Sequence, residues 1–215
     1  MKNKKIVVLS LLALVIIFIV ASIMYKNNQS SDLKNITANN GSALVRDHSI
    51  SFGENKNNIV VVEFLDPQCE SCAAFHPVVK AVYKEYSEEI KLVIRYLDNH
   101  KNSKFTIEIL ESARLQNKYN EVLEVIYKTQ NIWAKHNNEK PELLWKFLEE
   151  IDGLNIAEIK NNMNNESISK IIQIDRKDAQ SLNVRGTPTI FVNGKKLDVL
   201  SYRKFIDLVE SELYK

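Results

Sequence analysis

The sequence predicts an α/β domain in which an early parallel βαβ unit and a late antiparallel ββα unit place their strands in one sheet. Three observations predict it. Residues 59–65, Ile-Val-Val-Val-Glu-Phe-Leu, form a nearly continuous apolar run, which marks a strand covered on both faces. A run of helical period and a second apolar strand run follow directly, the order of a parallel crossover. Near the other end, Thr189-Ile190-Phe191-Val192 leads into Asn193-Gly194, the strongest short-range signal for a hairpin.

The remaining elements follow in chain order. Residues 26–41 are rich in Asn, Ser and Lys and poor in bulky apolar side chains, so they read as a flexible spacer. Leu44-Val45 and residues 50–52 form an edge strand and entry loop that ends at Gly53, and the polar residues 54–58 form a turn. The helix over 73–86 carries Phe75, Val78, Val79, Val82, Tyr83 and Tyr86 at a spacing of three and four, with Pro77 interrupting and kinking it. Residues 91–97 are the next strand. Residues 103–182 form a helical block of about five segments. In it Pro141 opens one helix, Asp152-Gly153 closes that segment and 167–182 form another helix. Trp133 and Trp145 belong to the core of the block. Strands 189–192 and 196–199 flank the Asn-Gly turn, and Ser201 opens a last helix through Tyr214.

Length and composition bound the functional class. The chain has 215 residues, 45% of them hydrophobic and 26% charged, with a net charge of +2. These are globular values, and after Lys2, Lys4 and Lys5 are set aside the remainder is close to neutral. Nucleic acid is therefore excluded as an expected partner. Residues 6–24 form an uncharged, mostly apolar run behind those lysines, with Lys26 after it. At 1.5 Å per residue such a run spans roughly 28 Å, close to a bilayer core. Residues 1–25 are accordingly expected to be a single-pass anchor in the cytoplasmic membrane, with the domain at 42–215 facing the periplasm or cell exterior. A cleaved signal segment followed by secretion is the second choice.

Export makes the compartment oxidising, and that bears on the two cysteines of the chain, Cys69-Glu70-Ser71-Cys72. They lie between the buried strand and the helix. A thiol at a helix N-terminus faces unpaired N–H groups and the positive end of the helix dipole. Both favour thiolate, the attacking form. A second thiol three residues on can close a disulfide with the first. The pair reads as a redox couple with Cys69 the nucleophile at an exposed helix start and Cys72 a turn inward. A structural staple is the weaker reading, because one bridge with so short a loop braces little. A zinc site using His76 lacks a fourth ligand nearby, and haem attachment needs a histidine where Ala73 stands. His48, His100 and His136 show no constellation and are expected in solvent. No cofactor or metal is expected beyond the Cys69–Cys72 disulfide itself.

These residues resemble the thioredoxin superfamily, and its DsbA-like branch in particular. The resemblance rests on Cys-x-x-Cys after a buried strand with Pro77 five residues past Cys72, on Val184-Arg185-Gly186-Thr187-Pro188-Thr189, which is similar to the family's cis-proline loop, and on the helical insert. It covers roughly residues 42–215, and it implies a thioredoxin-like fold with a large helical insertion. It implies that Thr187-Pro188 is a cis peptide that packs against the disulfide and offers backbone groups to an extended substrate. A plain turn proline is the alternative. It also implies that Glu63 is a buried acid that relays a proton to Cys72, the alternative being a carboxylate that reaches solvent or pairs with a lysine. Glu70-Ser71 departs from the dipeptides of the best-known members, and the family tunes its redox potential there. A carboxylate at Glu70 is expected to oppose thiolate at Cys69 by like-charge repulsion and to make a milder oxidant. The expected function is an exported, membrane-tethered thiol:disulfide oxidoreductase, acting mainly as a dithiol oxidase on cysteine-containing exported proteins, with a membrane redox partner. An extracytoplasmic disulfide reductase and a redox-silent peptide-binding module are the alternatives.

Overall fold

In the computed structural model, which describes Ile16, residues 18–20 and residues 41–215, a short helix α1 (Gly41–Leu44) leads to strand β1 (Ile50–Phe52) and strand β2 (Ile59–Leu65). Helix α2 (Glu70–Glu85) then crosses over to strand β3 (Ile90–Tyr96). A helical block follows: α3 (Ser103–Arg114), α4 (Tyr119–Lys128), α5 (Gln130–Trp133), a 3-10 turn (Pro141–Leu143) that runs into α6 (Leu144–Leu148), α7 (Ile156–Asn162) and α8 (Glu166–Ser181). Strands β4 (Thr189–Val192) and β5 (Lys195–Lys196) and helix α9 (Tyr202–Leu213) close the chain. Among the described residues the sheet order is β1-β3-β2-β4-β5, with β2 and β3 parallel and the other neighbours antiparallel.

The central place of β2 explains its unbroken apolar run. The register pairs Glu63 with Ile94 on one side and Ile190 on the other. One face of the sheet therefore carries Val61, Glu63, Leu65, Ile94 and Ile190, and the other carries Val62, Phe64, Val93, Arg95 and Phe191. All of these are buried. The first face packs on Cys72, Phe75, Val79 and Val82 of α2 and on Phe205 and Val209 of α9. Phe75 and Phe205 stack with ring centroids 6.5 Å apart. Trp133 is wholly enclosed in the helical block, and its indole N–H donates to Ile126 O at 2.9 Å. Trp145 packs edge-on against Phe105.

The second face is organised around a charge. Arg95 is 0% exposed. Its guanidinium donates to Asp175 Oδ1 at 2.9 and 2.6 Å, to Asp178 Oδ2 at 2.7 Å and to Ala43 O at 2.5 Å. Arg46 adds a two-bond contact to Asp178, and His48 Nε2 lies 2.7 Å from Asp175 Oδ1. Burial alone would raise the Asp178 pKa, but the two guanidinium groups override it and hold the group below its ordinary value. The N-terminal approach, the sheet and α8 are thus tied at one point, and His48 is built into that point rather than left in solvent.

Several expectations are corrected. Leu44 ends a helical turn rather than a strand, since that turn presents Ala43 O to Arg95. Helix α2 starts at Glu70, three residues before the expected start, because Cys69 itself serves as its N-cap. Pro77 lies inside α2 without ending it, with Phe75 and Val79 buried on either side to hold the helix in place. The block has six α-helices and a 3-10 turn rather than five segments. Strand β5 spans only Lys195–Lys196, because Leu197 makes the last ladder bond, to Ile190 O at 2.8 Å, before the chain turns toward α9. The Asn193-Gly194 turn has both residues at positive φ, 46° and 82°, as a type I′ hairpin requires. Gly53 stands at φ +97°, where a Cβ would come within 2.2 Å of Ile90 O. The span at 6–24 lies outside the described residues except for Ile16 and 18–20, which are helical. Among the described residues no helix is long and apolar enough to cross a membrane.

Arg95→Met removes the guanidinium that bonds both Asp175 and Asp178 inside the sheet face and leaves two buried carboxylates under-paired, with only the side chains of Arg46 and His48 bonded to them among the described residues. The expected loss is about 3–5 kcal/mol of unfolding free energy, measured by urea denaturation. A loss below about 1 kcal/mol would mean that water already solvates these carboxylates.

Candidate functional site

The site is made where β2 runs out. After Leu65 the chain turns through Asp66-Pro67-Gln68 and enters α2 at Cys69. Asp66 shapes this turn from a fully buried position. Its Oδ1 accepts from Gln68 N at 2.9 Å, the i to i+2 bond of an Asx turn. Its Oδ2 accepts from Asn99 N at 2.9 Å and Ser103 Oγ at 2.8 Å and lies 2.7 Å from His100 Nδ1. Asp66 O accepts from Cys69 N at 3.0 Å, and Asp66 N reaches Cys72 Sγ at 3.5 Å. One residue therefore fixes the turn and the start of α3 through its side chain and both cysteine positions through its backbone.

Both cysteines are free thiols in this structure. Cys72 is 0% exposed and Cys69 only 7%, so Cys69 is more enclosed than the exposed helix start expected. The cover comes from the loop before β4. The Thr187-Pro188 peptide is cis, as the sequence expectation had it, and Cys69 Sγ lies 3.3 Å from Thr187 O. Thr187 and Pro188 are thus brought to Cys69 from more than a hundred residues away, by the pairing of β4 with β2.

The electrostatics of the two thiols diverge. The Cys69 thiol is drawn down to about 5, foremost by a hydrogen bond from the Cys72 thiol. Burial opposes this, while the Thr187 side chain and the N–H groups of Cys72 and Ser71 at the helix start add to it. Burial pushes Cys72 well above the ordinary thiol range, helped by its bond to Cys69 and by the nearby Glu63 charge. Glu63, 2% exposed on the sheet face that packs against α2, is pushed up to about 7 by burial.

Glu70 does not turn toward Cys69. Its Oε1 lies 3.2 Å from His136 Nε2, with both side chains largely exposed, and Glu70 is absent from the leading influences on the Cys69 thiol. The like-charge opposition expected from it is outweighed by hydrogen bonds made within the helix start. Ser71 contributes its backbone N–H. His76 pairs with Glu124 of α4 at 3.0 Å rather than with the cysteines, and His100 is held by Asp66. Among the described residues no group of three or more His, Cys, Asp or Glu side chains is arranged to hold a metal ion. Sequence reading missed Asp66 and Ser103. An Asp before Pro at the end of a buried strand was the available signal for Asp66. Nothing local marks Ser103.

A thioredoxin family model matches residues 46–211, most of the chain. The chain belongs to the thioredoxin family. Within that family it is 28% identical over 155 residues to a Rickettsia conorii protein provisionally assigned as a protein-disulfide oxidoreductase, covering 70% of this chain and 55% of the relative. The chain thus spans little more than half the length of that relative. It is 25% identical over 170 residues to a provisionally assigned disulfide bond formation protein D of Bacillus anthracis, covering 73% of this chain and 76% of the relative. Two solved structures share the fold. They are oxidised BdbD of Bacillus subtilis (TM-score 0.69, 22% identity, 78% of this chain and 94% of that one) and α-DsbA2 of Wolbachia pipientis (TM-score 0.71, 16% identity, 86% and 97%). The thioredoxin-like fold with a helical insert, which the family resemblance implied, is the fold observed.

Two measurements test these electrostatics. Alkylation of the dithiol form with iodoacetamide should modify Cys69 alone, with a midpoint near pH 5; a Cys72→Ala variant should raise that midpoint, because the largest downward influence is gone. A midpoint unmoved by this change would assign the effect to the helix terminus instead. Glu63 has a folded pKa above its ordinary value, so its contribution to stability is complete below the ordinary carboxylate range and is lost as pH rises through about 7. Glu63→Gln should therefore gain stability over the parent dithiol form between pH 5 and pH 9, by on the order of a few kcal/mol. Parallel stability profiles would mean that Glu63 is ionised without penalty.

Proposed function

We propose that the chain is a protein thiol:disulfide oxidoreductase of DsbA type that works chiefly as a dithiol oxidase on cysteine-containing exported proteins. The observation that carries this reading is the asymmetry of the pair, with Cys69 drawn down to about 5 beside a raised Cys72. A couple whose reduced form holds a stabilised thiolate gives up its disulfide readily and so oxidises other thiols. The assignments of the curated relatives support the same chemistry.

In the oxidising direction a substrate thiolate attacks Cys69 Sγ of the disulfide. A substrate–Cys69 bond forms, the Cys69–Cys72 bond breaks, and Cys72 leaves with the electron pair. Its raised pKa makes it a strong base, and the Glu63 carboxyl, poised near 7, supplies the proton. A second substrate thiolate then attacks the substrate sulfur of the mixed disulfide. The substrate leaves with its new disulfide, and Cys69 departs as the stabilised thiolate. Two electrons pass from substrate to the pair. Of the two substrate protons, one is balanced by the proton taken up by Cys72 and the other goes to solvent. Thr187, whose carbonyl and side chain border Cys69, is placed to contact the backbone of an extended substrate.

The lysine-flanked run at 6–24 supports a tether in the cytoplasmic membrane, with the domain on the outer side and a membrane redox partner returning the pair to the disulfide. The reductase reading uses the same residues in reverse, and the potential of the couple separates the two. Equilibration of the chain with glutathione buffers should give a value near about −120 mV, with about −270 mV assigning a reductase instead. Cys69→Ala should abolish exchange; no exchange in the unaltered chain would leave only a binding module.

A further inference from the structure

The redox reading leaves open which exported cysteines the pair takes first. A substrate thiolate that reaches Cys69 Sγ arrives beside Thr187, whose carbonyl borders the sulfur. The residue after Cys69 is Glu70, the first of α2. Its side chain turns toward the segment that follows α5, where its Oε1 lies 3.2 Å from His136 Nε2. Here the surface holds a pocket of about 390 Å³, lined by Glu70, Gln130, Asn131, Ala134, Lys135 and His136. That is far more than the roughly 30 Å³ share of one water and room enough for a long side chain. The thiol chemistry makes no use of this pocket, yet it opens one residue from the nucleophile.

The enclosed wall of the pocket is Gln130, the first residue of α5, which is only 7% exposed. Its Nε2 donates to Pro67 O at 3.2 Å, in the turn that leads to Cys69. A backbone carbonyl only accepts, so this bond fixes which end of the carboxamide faces the turn. The other end, Oε1, has no donor among the described residues, and an acceptor so enclosed gains from any donor that enters. Glu70 adds a carboxylate at the mouth, with Oε1 beside His136 and Oε2 without a partner among the described residues. Asn131 and Ala134 carry no charge. Lys135 and His136 are the cationic side chains of the lining, and both are exposed, where water screens them. The fixed, enclosed group is therefore an acceptor, and a second, anionic acceptor stands above it. A guanidinium matches this pair, since its planar fork of N–H groups can bond two acceptors at once. An ammonium is a point charge and bonds less specifically, and a carboxylate would meet two acceptors and no enclosed donor.

We propose that this pocket selects substrates by receiving an arginine side chain two residues from the reacting cysteine, with the guanidinium bonded to the Glu70 carboxylate and to Gln130 Oε1. The proposal rests on the redox reading above and names the substrates it favours, which are exported proteins with Cys-x-Arg or Arg-x-Cys in an extended segment. The spacing follows from strand geometry. In an extended chain residues i and i+2 point to the same face, about 6.5–7 Å apart, and residue i+1 points away. A substrate cysteine aimed at Cys69 therefore aims the side chain two residues on at the same surface. Glu70 stands a single Cα step of about 3.8 Å from Cys69, and the arginine stem covers the rest. Glu70 then acts on the substrate rather than on the Cys69 thiol, whose leading influences do not include it.

Dithiol peptides and the oxidised full chain provide the test. Each peptide holds two cysteines, and the residue two places before or after one of them is Arg, Lys, Ala or Glu. A further set carries Arg directly beside the cysteine. Each second-order rate constant of peptide oxidation is divided by that for the same peptide with hydroxyethyl disulfide, because a nearby arginine also raises the thiolate fraction of the peptide. In the parent chain, Arg two places away on one of the two sides should be preferred to Ala by roughly fivefold to tenfold. Lys should give less than half that gain, and Glu should be disfavoured. Glu70→Gln should bring Arg to within about twofold of Ala, and Glu70→Lys should make Glu the preferred residue, a reversal that a merely structural role would not produce. Peptides oxidised at equal normalised rates would overturn the proposal and leave the redox reading intact. So would a preference that Glu70→Gln retains, or an equal gain from Arg directly beside the cysteine. A parent preference for Glu would also overturn it and give the pocket to Lys135 and His136. Failure of every peptide to be oxidised would instead overturn the redox reading, and the selectivity with it.

Discussion

A buried carboxylate needs donors on its lone pairs, and Asp66 finds them in three separate parts of the chain. Gln68 N comes from its own turn, Asn99 N and His100 Nδ1 come from the loop after β3, and Ser103 Oγ comes from the first turn of α3. The end of the parallel βαβ unit and the start of the helical block are joined through this one group. The consequence reaches the sulfurs, because the backbone of Asp66 bonds to both cysteine residues. The helix terminus that stabilises the Cys69 thiolate is thus set by a carboxylate that never meets solvent. Gln68 extends the junction outward, since its side chain meets Asn102 N at 2.6 Å and Glu139 at 3.3 Å.

The polarity of the site follows from burial acting in opposite senses on neighbouring groups. Cys69 sits where helix N–H groups and a neighbouring thiol can reach it, and it is pulled toward thiolate. Cys72 and Glu63 sit one turn and one strand further in, where charge is penalised and the neutral forms are favoured. A single gradient of desolvation across a few residues therefore separates a leaving group from a proton donor. The second face of the sheet carries its own charged centre at Arg95, but there every charge has an opposite partner, so the same burial produces a fixed joint rather than reactivity.

Much of this was legible in the sequence, for reasons that particular residues make plain. The apolar run at 59–65 marked a strand covered on both faces, and Asn193-Gly194 marked a tight hairpin, so a parallel βαβ unit and an antiparallel ββα unit in one sheet were legible, while the order of the strands was not. The spacing of Cys69, Cys72, Pro77 and Thr187-Pro188 carried the family resemblance and the insert. The misses share a cause, which is that side chains distant in sequence chose the outcome. Leu44 entered a helical turn because Arg95 needed Ala43 O, and His48 and His76 each met a carboxylate in a partly buried place that no local pattern announced, while His100 and His136 lie exposed as expected, each beside a carboxylate. Glu70 was read beside Cys69 on spacing alone, whereas His136, brought close by the helical block, draws its carboxylate outward.

The two-sided cover of β2 has a consequence for time as well as for place. A strand with hydrogen-bonded neighbours on both edges and packed helices on both faces is the kind of segment that opens only when the whole domain opens. Cys72 follows its end through the Asp66 turn, and its sulfur is fully buried and in contact with the Asp66 backbone, so uncovering it requires more of the fold to open than uncovering Cys69. Local breathing of the cis-proline loop can uncover Cys69 many times without uncovering Cys72. The order in which the two sulfurs meet a partner is then fixed kinetically, by which parts of the fold fluctuate alone and which fluctuate only together.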